Sequence, residues 1–247
     1  AGSQQWPMGV VTLQTDSVVA VVRAAPQSSP LTRHTFFVID APTGAESARW
    51  SVDFAPRLSG VSSDGVCLAG DVLLTWSVGQ SAEVVLTGHS LTTRTAIWTE
   101  SVPLGRAVSC INDRVTVTGG SSSAPQRGFV EQRMVASGAL LWRTDMTSDS
   151  PSFGAGVHAL PNGRVIAFDR VQSGESTFAS RVRQFAADGQ QLQPLDVGLR
   201  SAARGRAVMD GTQRVLTATT STLHSGTRIR QSSIAVADGV ETWKLDA

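Results

Sequence analysis

The chain of 247 residues sets 21 basic against 20 acidic side chains, a net charge of +1, and is 41% hydrophobic and 17% charged. Such a chain can bury a large core, but its charge balance gives no sign of the clustered basic face that nucleic acid or an anionic membrane surface requires. No run approaches the roughly 18 apolar residues needed to span a bilayer.

In chain order, Ser3-Gln4-Gln5-Trp6-Pro7-Met8 reads as an outer strand, a surplus piece of a partial or shared sheet. Five units follow, over residues 9–54, 60–102, 106–146, 154–197 and 204–247. Within the second unit, residues 65–68 lead through the turn Ala69-Gly70-Asp71 to a strand over 72–77, then to strands over 83–87 and 94–102. Alternating apolar and polar residues bounded by Gly, Asp, Asn and Pro mark such strands, because side chains point to opposite faces at period two. The other units repeat the pattern. Their second strands align at Val18-Val19-Ala20-Val21, Val115-Thr116-Val117, Val165-Ile166-Ala167-Phe168 and Val215-Leu216-Thr217-Ala218, each preceded by residues that favour hairpin turns.

A tryptophan closes most units. Trp6, Trp50, Trp98, Trp142 and Trp243, with Leu192 in the vacant register, are spaced by 44, 48, 44, 50 and 51 residues, a period of about 47. Repeats of this length without a helical pattern predict an all-β propeller of about five four-stranded blades, either complete or part of a larger ring. The unit tails, such as Ser137-Gly138-Ala139-Leu140-Leu141-Trp142 and Asp238-Gly239-Val240-Glu241-Thr242-Trp243, resemble the Gly-x-x-x-Trp signature of PQQ-like propeller repeats. That family includes quinoprotein dehydrogenases and a lipoprotein of the outer-membrane assembly machinery. The resemblance implies that the five tryptophans are structural, docking neighbouring blades, and that the protein is exported to a bacterial envelope or beyond. The family's dehydrogenases use eight blades, adjacent cysteines and calcium ligands; this chain has five units and its cysteines are 43 residues apart, so no cofactor is expected.

Catalytic signatures are sparse. The four histidines, His34, His89, His158 and His224, fall in different units without metal-ligand spacing, so no metal is expected, and there is no nucleophile elbow. A histidine isolated in this way is expected to be solvated or hydrogen-bonded. Asp53, Glu100, Asp145 and Asp246 recur just after the tryptophans, which predicts a structural bond to the next linker; Asp149, Asp169 and Glu175 break the period and are the better candidates for a glycosidase-type acid pair. Cys67 and Cys110 each precede a second-strand valine by five residues. Equivalent positions of this kind favour two free thiols, although an even count in an exported protein keeps a bridge as the alternative.

The second-to-third strand connections vary most. Arg33, Arg127, Arg181 and Arg228 recur near the ends of four of them, a set of guanidinium groups suited to carboxylates or acidic protein patches. The expected function is a non-enzymatic scaffold that binds a protein partner through this loop face. A carbohydrate-binding propeller is the first alternative, weakened by the absence of Tyr and an aromatic content of 6%, and a glycoside hydrolase is the second.

Overall fold

The computed structural model describes residues 5–14, 17–24, 31–56, 61–79, 83–120, 127–146, 151–172, 178–192, 206–209, 214–223, 226–235 and 241–246, with backbone alone beyond 192. Every regular element among them is a β-strand. The first sheet holds β1 (Gln5–Gln14), β2 (Ser17–Ala24), β3 (Leu31–Asp40) and β4 (Glu46–Pro56), and the second holds β5 (Val61–Ala69), β6 (Val72–Gly79), β7 (Glu83–Ser90) and β8 (Thr95–Pro103). A third comprises β9 (Gly105–Ile111), β10 (Arg114–Gly120), β11 (Gly128–Met134) and β12 (Leu140–Asp145). The fourth has β13 (Ser152–Ala159), β14 (Val165–Gln172) and β15 (Phe178–Phe185), and the fifth β16 (Arg206–Met209), β17 (Arg214–Leu223), β18 (Gly226–Ala235) and β19 (Glu241–Asp246). Strand order in each sheet follows chain order, as consecutive antiparallel hairpins require.

The chain divides into two compact units. One contains the first two sheets together with residues 111–114 and 133–139. Its sheets pack first strand against first strand, β1 on β5, and fourth against fourth, β4 on β8. Between them lies a core of Met8, Val19, Val21, Phe36 and Leu73, flanked by Trp50, Val52 and Val66. β1 approaches β5 so closely that a Cβ on Gly9 would lie 2.5 Å from Val66 Cγ1. The other unit holds the last two sheets and most of the third, with a core of Val130, Met146, Val165, Ala167 and Phe185. There β13 packs beside β16, again first strand on first strand.

Three expectations change. Residues 5–8 are not a separate outer strand: they open β1, where Trp6 pairs with Arg23, so Trp6 does not share the fourth-strand register of Trp50, Trp98, Trp142 and Trp243. The ladder shifts register between Pro7 and Gly9, and this irregularity beside a proline makes one strand look like two in sequence. In the fourth sheet the outer strand is reduced, among the described residues, to a bridge between Phe185 and Gln191 and a bond from Leu192 N to Gln184 O of 2.8 Å. Neither cysteine is free; Cys67 and Cys110 are disulfide-bonded. The two cysteines are not in equivalent register. β5 ends at Ala69, two residues after Cys67, whereas β9 ends at Ile111, one residue after Cys110. A one-residue offset in a strand turns a side chain to the opposite face of its sheet, which removes the symmetry argument against a bridge.

Candidate functional site

Three groups of polar residues organise the described structure. The first is the arginine set. Arg33 stands at the entrance of β3, and its guanidinium forks onto Asp53 of β4, with Nε donating to Oδ1 at 2.6 Å and Nη2 to Oδ2 at 2.7 Å. This hydrogen bond and the attached charge hold the Asp53 carboxyl below its ordinary value and raise Arg33. Arg127 is exposed immediately before β11, and Arg181 is exposed on β15 opposite Asp169. Arg228 lies on β18 opposite Ser221, and its side chain is outside the described residues. Arg33 belongs to one compact unit and the other three to the second.

Their recurrence is one of sequence position, not of register. Arg33 faces Ala24, the last residue of β2, whereas Arg181 faces a residue three places before the end of β14. Two of the four periodic acids engage arginine side chains: Asp53 binds Arg33, and Glu100 lies 3.5 Å from Arg133 Nη1. The expected bond to a linker backbone is replaced because a nearby guanidinium offers a charged, geometrically matched donor. Of the non-periodic acids, Asp149 and Glu175 lie outside the described residues.

Asp169 anchors the second group, on the fourth sheet. It and Arg183 are buried, at 0% and 1% side-chain exposure. Arg183 Nε donates to Asp169 Oδ2 at 2.8 Å, and Oδ1 of the same carboxylate is buried without a hydrogen-bond partner among the described residues. Burial pushes the Asp169 carboxyl above its ordinary value despite the opposing pull of Arg183. Within such a pair the desolvation of both charges offsets much of the Coulomb attraction.

The third group lies inside the unit formed by the first two sheets. His34 on β3 and His89 on β7 are 1% and 0% exposed, with ring centroids 5.8 Å apart. Phe36 wedges against His89 at 4.7 Å and stacks on Trp50 at 4.9 Å. His89 Nε2 and Thr75 Oγ1 are 3.0 Å apart. His34 stands opposite Arg23 in the ladder, and Arg23 Nε donates to Asp64 Oδ2 at 3.1 Å. Burial lowers His89 to about 4. Burial, then His89 and Arg23, carry His34 well below the usual imidazole range. Of the two expected settings, solvated or hydrogen-bonded, neither ring is solvated and His89 is hydrogen-bonded to Thr75; a signal of burial existed, since His34, Phe36 and Val38 share one period-two face with core residues.

Two outer-strand tryptophans, Trp98 and Trp142, bond into a turn of the next sheet. Trp98 Nε1 donates to Val135 O, and Trp142 Nε1 donates to Ala187 O, each at 3.0 Å. Both acceptors belong to turns that follow the next sheet's third strand. Gly138 and Gly189 sit in those turns at φ +71° and +86°, and a Cβ on either would lie 2.8 or 2.6 Å from the indole. Trp50 differs: the corresponding turn carries Arg94, at φ +58°, with its guanidinium 5.6 Å from the ring centroid. Among the described residues no cluster of three or more His, Cys, Asp and Glu has the arrangement to hold a metal ion, and no helix is long and apolar enough to cross a membrane.

The same sheet stack occurs in solved structures. The β-propeller domain of the trilobed protease from Pyrococcus furiosus superposes on 96% of this chain, with TM-score 0.57 and 9% identity. The chain carries the β-propeller fold. A prolyl endopeptidase (TM-score 0.52, 13% identity, 97% of this chain) and a europium-containing methanol dehydrogenase (0.51, 10%, 98%) share this propeller architecture. This propeller spans 70% of the protease domain, 42% of the endopeptidase and 52% of the dehydrogenase. At these identities the likeness concerns the fold alone. No family model matches the chain, and no curated protein matches its sequence.

Proposed function

We propose that this propeller is a scaffold that binds a protein partner through the ends of its sheets where second strands connect to third strands, with arginines there receiving acidic groups. The observation that carries the reading is the exposure of Arg127 and Arg181 at or near the entrances of β11 and β15, on strands anchored by a rigid core. Arg33 contributes less, because Asp53 already occupies its fork. Arg228 completes the set on sequence position. The Gly-x-x-x-Trp tails that end at Trp142 and Trp243 support kinship with PQQ-like repeats, and so an assembly role in a bacterial envelope. The disulfide supports export, since such bonds persist in oxidising compartments.

The test is capture from envelope extracts with the native chain and with an Arg127→Glu/Arg228→Glu variant of unchanged circular dichroism. Loss of a specific partner by tenfold or more is the expected result, and identical capture discards the arginine face. Fractionation of the source cells tests export separately: a soluble cytoplasmic location with reduced thiols rejects it.

A further inference from the structure

The buried histidine pair takes no part in the proposed face, and its setting is specific. Two imidazoles meet across the seam between the first and second sheets, at the centre of the unit's apolar core. The ladder partners of His34 are Arg23 and Val52, and those of His89 are Leu73 and Ala96. The facing groups that carry charge or titrate are thus Arg23 on β2 and, through it, Asp64 on β5; β4, β6 and β8 offer Val52, Thr75 and Ala96, which do not titrate. One carboxylate already serves the Arg23 guanidinium. A proton on either imidazole therefore adds a second cation to an apolar seam, and a proton on both adds a third.

We propose that His34 and His89 form an acid-operated release for the packing of the first sheet on the second: neutral imidazoles close the seam, and their protonation opens it. The device works because the pair joins strands of different sheets, so expelling the charge means separating the sheets, not rotating one exposed side chain. Separation would hydrate both rings together with Phe36 and Trp50, which stack against each other and, through Phe36, on His89. The sign follows from linkage. The opened seam binds protons with the ordinary value of 6.5 while the closed seam holds His89 at about 4, so closure is at full strength above 6.5 and weakens as pH falls toward 4.

Hydrogen exchange of the intact chain, corrected for intrinsic rates, reads the opening directly. Amides of β2, β3, β6 and β7 are expected to show an opening constant that rises roughly 60-fold between pH 7 and pH 4.5 from His89 alone. In the His34→Gln/His89→Gln variant, whose side chains carry no proton in this range, that rise is expected to disappear. An unchanged acid response in the variant overturns the proposal. Should the variant not fold, titration of the wild-type imidazole resonances decides: values well below 6.5 for both rings support the device, and ordinary values sink it.

Discussion

Two regions of this propeller bury polar side chains in opposite ways. Between the first and second sheets, His34 and His89 enter the core as neutral rings and leave their charge behind. On the fourth sheet, Asp169 and Arg183 enter as an acid and a base that hold one another through one carboxylate oxygen, the other having no hydrogen-bond partner among the described residues. The contrast teaches that burial of a titratable group is a statement about pH as well as about packing. The histidines favour the fold above their ordinary value and oppose it below. Asp169, raised by burial, contributes most below the ordinary carboxyl value of 3.8, and its contribution fades as pH climbs through its folded value. Acid therefore loosens one region while easing the other.

The largest effect that breaks this contrast is Asp169→Ala, which strands a buried guanidinium and is expected to cost about 3–5 kcal/mol in urea unfolding. Asp169→Leu combined with Arg183→Met removes both charges and is expected to recover most of that loss; a double variant as unstable as the single one would show that the pair is not a self-contained unit. Next comes pH. Stability measured by denaturant midpoint should fall by about 2.5 kcal/mol for His89 alone as pH drops from 6.5 to 4, and His89→Gln should remove that share of the fall.

Turn substitutions calibrate these values against a conformational cost. Gly138→Ala must take a left-handed backbone and displace Trp98, an expected loss of about 2–3 kcal/mol, whereas Gly44→Ala, at the same φ of +71° with open space around it, should lose only about 1 kcal/mol. Equal losses would mean that the indole yields freely. Smallest is Arg94→Gly: relief of its left-handed backbone is partly offset by the lost contact with Trp50, so a gain below about 1 kcal/mol is expected in thermal melts.

The repeat was legible because hairpins write themselves locally. Gly70-Asp71 and Asn112-Asp113 announce turns, and the valine-rich runs after them became β6 and β10. The failures lie where one residue decides. A register shift at Pro7 to Gly9 disguised the start of β1, and an offset of one residue reversed the reading of Cys67 against Cys110. The candidate sites were less legible still. His34 and His89 are 55 positions apart in sequence, and nothing local to either says that the two rings meet. The same holds for the arginines, whose shared place near the ends of connections concealed different ladder partners and, for Arg33, a carboxylate already in place.

The indole hooks give the array a direction. Trp98 and Trp142 each reach forward along the chain, so both of these hooks find their catch in a segment made later. Trimming repeats from the C-terminal end leaves an indole N–H with nothing to hold, whereas trimming from the N-terminal end leaves only a vacant carbonyl, which water satisfies readily. A nascent chain of this design stays unlatched at its growing end until the next turn emerges.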